Sequence, residues 1–256
     1  MIDVTRVLGS LQADTEPASI FQPITAGTRV GMIDDDPVAM RALSYQLQDV
    51  DMTPVEISLA GSPSLDDVLA KLQDNGCAAA VCDHRLRGGG HAQFDGAQLV
   101  CQANLSVGLP CILLSSWTAE DEATSIRRWR HGIPKVLSKR GRSPQDLIDA
   151  LTVTRIEMAG ERPLERRPFS TAVEIAELSY EAECQTAHVY VPAWDPDIPV
   201  VVPLDLFPID VSQMPSEEVL GSFFIGKVNY YAREAGELFF RDLRISTLPP
   251  ADWLPA

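Results

Sequence analysis

The sequence predicts an α/β fold, a doubly wound five-stranded parallel sheet followed by a smaller β-rich domain. Two observations carry that expectation. Between residues 28 and 160 a short apolar run gives way five times to an amphipathic stretch. Such alternation implies parallel strands covered by helices on both faces. Beyond residue 169 the texture changes to β-branched and aromatic runs. Between the two, residues 161–169 hold two prolines and five charges and read as a linker. The expected organisation is an N-terminal arm over 1–27, the α/β domain over 28–160, the linker over 161–169 and an acidic β-rich domain over 170–256.

Each element has its own signal. Val30 to Ile33 is a first strand that ends in three carboxylates. Pro37 stands where a first helical turn places it, and Val38, Leu43 and Leu47 supply an apolar stripe. Val55, Ile57 and Leu59 alternate as a second strand. Ser64 can cap a helix carrying Leu65, Val68, Leu69 and Leu72, which stops at Gly76. Ala78 to Cys82 reads as a fully buried strand ending at Asp83. The glycine-rich loop Gly88 to Gly90 leads to Asp95-Gly96 and a helix with Leu99 and Val100. Pro110 opens the strand Cys111 to Leu114, closed by Ser115-Ser116, and Glu120 to Arg130 reads as a helix. Val136-Leu137 is a fifth strand before Lys139. Ser143-Pro144 starts the last helix, which runs through Leu147, Ile148, Leu151 and Ile156 to Gly160.

In the C-terminal part, Thr186 to Val191, Val200 to Phe207, Phe223 to Tyr231 and Leu238 to Ile245 read as strands. The last two form a hairpin with Gly236 near its turn, and Thr171-x-x-Glu174 reads as the opening of a short helix. A small barrel or sandwich is the expected form.

Charge excludes some functions. Asp plus Glu number 36 against 21 Lys plus Arg, a net of −15. Broad, non-specific binding to nucleic acid or anionic membrane needs a positive face, so both are excluded. Residues 161–256 are the more acidic part, with 16 carboxylates against 7 basic residues, so direct DNA contact is not expected there. The five cysteines show no metal-binding spacing and read as buried thiols of a reducing compartment. No 18-residue apolar window occurs, and the first 27 residues lack the signal-peptide pattern. A cytoplasmic protein is expected.

Four polar features fall at predicted strand ends: Asp34 and Asp35, Asp83, Ser115 and Lys139. In a doubly wound sheet, ligands bind outside the carboxyl ends of the strands. Two carboxylates about 4 Å apart repel by roughly 4 kcal/mol at an effective dielectric of 20, so converging acids need a cation. Hard oxygen ligands suit Mg²⁺. A lysine and a hydroxyl on neighbouring strands complete a socket for a phosphoryl oxygen. The chain has only four lysines, which makes one at this position informative. Asp36 reads as a helix N-terminal charge. His84 and His91 read as surface loop residues, and Gly88 to Gly90 as a flexible loop, since no Gly-Lys-Ser/Thr follows. Arg127, Arg128, Arg130 and His131 form a basic face, read first as solvated and alternatively as a docking surface for an acidic partner.

These pieces resemble the receiver domain of two-component response regulators. The resemblance covers residues 28–160. It rests on Met32-Ile33-Asp34-Asp35-Asp36-Pro37, Val81-Cys82-Asp83-His84-Arg85-Leu86, Asp95-Gly96, Pro110 to Ser116 and Leu137-Ser138-Lys139. It implies that Asp83 is the phosphoacceptor and that Asp34, Asp35, Asp83 and the backbone carbonyl of Arg85 hold Mg²⁺. It also implies that Ser115 turns toward the phosphoryl group and that Lys139 pairs with it. The partners implied are a histidine kinase or phosphotransfer protein, with a further protein partner for the C-terminal domain. The chain would be a signalling switch and not an enzyme, beyond phosphoryl acceptance and self-dephosphorylation.

Two other readings stay open. One is a phosphorylation-independent adaptor with a receiver fold, motivated by a longer loop after Asp83 and by Arg87 and Arg140 where prolines are usual. The other is a haloacid-dehalogenase-type phosphatase using Asp34 and Asp36, which would leave Asp83 unexplained.

Overall fold

The computed structural model describes residues 24–86, 92–116, 120–181, 184–208, 211, 219–220 and 222–246. Most of the arm, Arg87, Gly88 to Gly90 and His91 lie outside the described residues.

The first sheet is built from β1 (Arg29–Ile33), β2 (Thr53–Glu56), β3 (Ala79–Asp83), β4 (Cys111–Ser115) and β5 (Val136–Ser138). Its order is β2-β1-β3-β4-β5, and every pairing is parallel. Five helices connect or follow these strands: α1 (Pro37–Gln48), α2 (Leu65–Asp74), α3 (Gly96–Gln102), α4 (Glu120–Arg127) and α5 (Pro144–Met158).

The unbroken apolar strands have a simple cause. Successive side chains point to opposite faces, and both faces are covered. Val30, Met32, Val81, Ile112 and Leu114 pack with Met40, Leu43 and Leu47 of α1 and Leu147 and Leu151 of α5. Ile33, Ala80, Cys82 and Leu113 pack on the other side with Val68 and Leu72 of α2, Leu99 of α3 and Ile126 of α4. Ser64 and Asp67 form a capping box on α2, and Ser143 and Asp146 form another on α5.

Several expectations are corrected. Val38 is 72% exposed, and Met40 takes its place in the buried stripe of α1. Ile156 also faces outward, on the side of α5 away from the sheet. β2 stops at Glu56, although Ile57 and Leu59 beyond it are buried. α4 ends at Arg127, and a tight turn over Arg130–Gly132 follows.

The second sheet holds β6 (Phe169–Glu181), β7 (Cys184–Val191), β8 (Asp195–Pro203), β9 (Phe223–Val228) and β10 (Phe240–Ser246). The order is β10-β9-β6-β7-β8, antiparallel throughout. Among the described residues this is one open sheet, neither a closed barrel nor a two-sheet sandwich. Thr171 to Glu174 lies inside β6, because it pairs with β9 on one side. The expected final hairpin is present as β9 and β10, with a turn at Ala235–Glu237. One sheet face carries Val173, Val189, Val202, Phe224 and Phe240, and Leu204, Phe207, Val211 and Val219 pack with them. Asn229 is fully buried. It donates to the carbonyls of Glu165 and Glu237 and accepts from the Phe239 amide at 2.7 Å.

The two sheets meet across α4 and residues 157–167. The Arg127 guanidinium donates to the carbonyl of Val201 and, at 2.7 Å, to that of Ala235. Arg128 pairs with Asp205 at 2.7 Å. Arg166 pairs with Glu157 at 3.1 Å, donates to the carbonyls of Arg130 and His131, and lies 4.9 Å from the Phe239 ring centre. Arg127 and Arg130 are therefore buried, which overturns the solvated reading of this basic face. Arg127 meets carbonyls and Arg128 a carboxylate of the C-terminal part, whereas Arg130 donates to the Ile133 carbonyl close to it in the chain.

His131 sits in this junction. Burial lowers its pKa to about 4, helped by the charges of Arg241, Arg166 and Arg162 and opposed by Asp242. Its folded pKa thus lies below the unfolded value, and its neutral form stabilises the fold above about pH 6.5. That contribution is lost as the pH falls through about 4. The expected loss is about 2 kcal/mol once solvent screening is allowed for. Urea melts at pH 7 and pH 4.5 should show a smaller acid loss in His131→Gln than in the native chain.

Candidate functional site at the carboxyl edge of the parallel sheet

The strand order reverses between β1 and β3, which is where a doubly wound sheet opens a crevice. The register brings Ile33 opposite Cys82 and Asp83 opposite Leu114. Asp34 and Asp35 follow β1 directly, so the three acids converge there. Carboxylate oxygens of Asp34, Asp35 and Asp83 all lie within 4.8 Å of one another. Ser115 ends β4 and is 1% exposed. Its carbonyl accepts from the Lys139 amide at 2.8 Å, which fixes the start of the β5 exit.

Lys139 reaches back over the crevice. Its Nζ lies 2.7 Å from Asp83 Oδ1 and 3.1 Å from Asp34 Oδ2. Both carboxylates are nearly buried, at 5% and 4% side-chain exposure. Burial raises the Asp83 pKa, aided by the Asp34 charge, while Lys139 and the His84 amide oppose the rise. Burial works against the Lys139 ammonium, but its hydrogen bond and charge contacts with Asp83 and Asp34 outweigh this and hold its pKa above the ordinary value. One ammonium faces three carboxylates. Two such acids 4.8 Å apart still repel by about 3–4 kcal/mol at an effective dielectric of 20. The cluster concentrates negative charge, and its hard oxygen donors fit Mg²⁺.

The surrounding residues have distinct tasks. Asp36 caps α1, accepting from the Val38 amide at 2.8 Å, and its own amide donates to Asp34 Oδ1 at 2.9 Å. The capping contact gives Asp36 Oδ1 a structural task at the start of α1. Arg142 donates to the carbonyls of Ser138 and Lys139, bracing the loop that carries the lysine. Arg85 is exposed just after β3. Arg142 escaped the sequence reading because nothing in its spacing ties it to β5.

Gly96 explains why Asp95-Gly96 belongs to the site. A Cβ there would lie 1.7 Å from the Asp83 carbonyl oxygen and 2.7 Å from its carbonyl carbon. Both obstacles are backbone, so neither can swing aside. Gly96→Ala should destabilise the chain by about 3 kcal/mol, at the upper end of overpacking costs, as read from urea melts. A loss under about 0.5 kcal/mol would mean the strand end yields easily.

His84 also departs from expectation. It is 4% exposed and not a surface loop residue. Its amide donates to Leu114 and its carbonyl accepts from Gly96, both at 2.9 Å. Its Nε2 lies 2.7 Å from Ser125 Oγ on α4.

No family model matches the chain, and no curated protein matches it. Similarity to solved structures covers about half of it, the N-terminal part. The signal receiver domain of a modulated diguanylate cyclase from Desulfovibrio desulfuricans G20 is 15% identical, covering 53% of this chain and 99% of that one, with a TM-score of 0.43. That of an HD domain-containing protein from Pseudomonas fluorescens Pf-5 is 20% identical, covering 55% and 96%, with a TM-score of 0.40. The chemotaxis response regulator CheY4 of Vibrio cholerae is 17% identical, covering 50% and 99%, with a TM-score of 0.36. The structures this half resembles are response-regulator receiver domains. The matched half holds the five-stranded parallel sheet, and the antiparallel sheet forms a β-rich C-terminal part. Among the described residues, no helix is long and apolar enough to cross a membrane.

Proposed function

We propose that the chain is a response regulator of a phosphorelay, in which Asp83 accepts a phosphoryl group from a phosphohistidine. The donor is a histidine kinase or a phosphotransfer protein. The observation that carries this reading is the Lys139 ammonium, placed 2.7 Å from Asp83 inside an acid cluster at the sheet's carboxyl edge. In the transfer, the P–N bond to the donor imidazole breaks as a P–O bond to the Asp83 carboxylate forms. The protein's share is positioning and charge stabilisation, since phosphoryl transfer asks for little else. Lys139 meets the added negative charge. Asp34, Asp35, Asp83 and the Arg85 carbonyl would hold Mg²⁺, which when bound would supply further charge neutralisation. Ser115, at the end of β4, offers a hydroxyl to the phosphoryl group.

The phosphorylated product carries nearly two negative charges, enough to bias a two-state surface. The β-rich unit, residues 170–256, is the output and engages a protein partner. The protein acts in the cytoplasm as a switch, with boundaries at residues 28 and 160 for its receiver unit.

Beryllofluoride, a mimic of the acyl phosphate, tests this on the full chain. Mg²⁺-dependent binding of one equivalent is expected by calorimetry. Absence of binding at millimolar Mg²⁺ would overturn the reading and leave the phosphorylation-independent adaptor.

A further inference from the structure

We propose that His84 is a positioning residue that couples Asp83 to the seat of the β-rich unit on α4, so that occupancy of Asp83 loosens that seat. The inference rests on the reading of Asp83 as the phosphoacceptor. Its own observations are independent of it.

His84 directly follows Asp83, and its backbone is pinned on both sides, to β4 at Leu114 and to α3 at Gly96. A shift of the Asp83 backbone therefore carries the imidazole with it. The ring spans the space from the end of β3 to α4, where Nε2 and Ser125 Oγ stand 2.7 Å apart. The contact is buried on the His84 side, which is 4% exposed, and half-buried at Ser125. Half a turn further along α4, Arg127 reaches into the second sheet. A movement at Asp83 thus has a short covalent and hydrogen-bonded route to the seat: Asp83, His84, Ser125, Arg127, and then Val201 and Ala235.

The seat is poised to release. Arg127 is 4% exposed, and its terminal nitrogens donate to the carbonyls of Val201 and Ala235. Its Nε is buried and has no hydrogen-bond partner among the described residues. A cation desolvated this way gains more from water than a paired one does. Among the described residues the ion pair linking α4 to the second sheet, Arg128 with Asp205, is exposed at 39% and 50% and holds little. A modest displacement of α4 therefore favours the open arrangement, whereas a seat made of dry apolar contacts would resist it.

Hydrogen exchange of the full-length chain, with and without Mg²⁺ and beryllofluoride, tests the coupling. In the native chain, peptides covering residues 195–207 and 229–238 should exchange about tenfold faster with the mimic bound, within the usual range of coupling between sites. In His84→Ala and in Ser125→Ala, calorimetry should still detect the mimic binding, while the exchange difference falls below about twofold. His84→Gln, which keeps a donor near Ser125, should restore most of it. A merely structural role would shift stability and leave the ligand-dependent difference intact. An unchanged difference in both alanine variants, or none in a native chain that binds the mimic, would overturn the coupling alone. Failure of the native chain to bind the mimic would overturn the acceptor reading, and this inference with it.

Discussion

Asp83→Asn will abolish phosphoryl uptake and beryllofluoride binding, a complete loss in place of a weakening. The reason is chemical. An amide offers no carboxylate oxygen to form the P–O bond, and the neighbouring acids are less available to replace it. Asp34 is held by Lys139 Nζ at 3.1 Å and by the Asp36 amide at 2.9 Å. Asp36 itself is committed to capping α1. The variant should fold, because burial already works against the Asp83 charge and Lys139 keeps Asp34 as its partner. Intact-mass spectrometry after incubation with a small-molecule phosphodonor and Mg²⁺ checks this. The native chain should gain one phosphoryl mass and the variant none. Equal labelling of both would place the acceptor elsewhere. Labelling of neither, with partner binding retained in both, would favour the adaptor reading.

The sheet edge was legible because its signals are positional. A strand covered on both faces has no use for a carboxylate except at its end, so Asp34, Asp35 and Asp83 stood out against the apolar runs before them. Lys139 stood out for the same reason, after a short strand and among few lysines. The junction between the two sheets was not legible. Arg127, Arg128 and Arg130 read as a solvated face because a charge run on a helix looks the same whether water or another part of the chain covers it. The partners of Arg127 are main-chain carbonyls, which leave no trace in sequence. One signal was available: these positions are arginine and not lysine, and the planar guanidinium is the cation that tolerates burial with several acceptors. His84 reads as a loop residue because glycines and arginines follow it, while its backbone still belongs to the end of the sheet. Thr171 to Glu174 matched a capping pattern, but pairing with β9 outweighed that local preference. Val38 fell off the buried face because the stripe of α1 runs through Met40, Leu43 and Leu47, three and four residues apart.

Glu157→Gln will cost the chain about 3–5 kcal/mol, the usual price of removing one partner from a buried ion pair. Glu157 is 3% exposed at its side chain and sits near the end of α5, where the two sheets meet. It pairs with Arg166 at 3.1 Å and with Arg162 at 3.4 Å. Arg130 is close by, and its pKa is lowered to about 9 by burial and by the Arg166 charge, with Glu237 and Glu157 opposing. Glutamine keeps the shape and one acceptor but removes the negative charge, so several guanidinium groups would face one another in a dry junction. The loss should be insensitive to salt, because ions do not screen a buried cluster as they screen surface pairs. Replacing Glu157 and Arg166 together by methionine should recover most of it, since the two desolvation costs vanish with the pair. Urea unfolding of the native chain and the two variants, followed by circular dichroism at low and high salt, checks the sequence of effects. A loss below about 1 kcal/mol in Glu157→Gln would mean that water reaches this junction and that the exposed-pair scale applies instead.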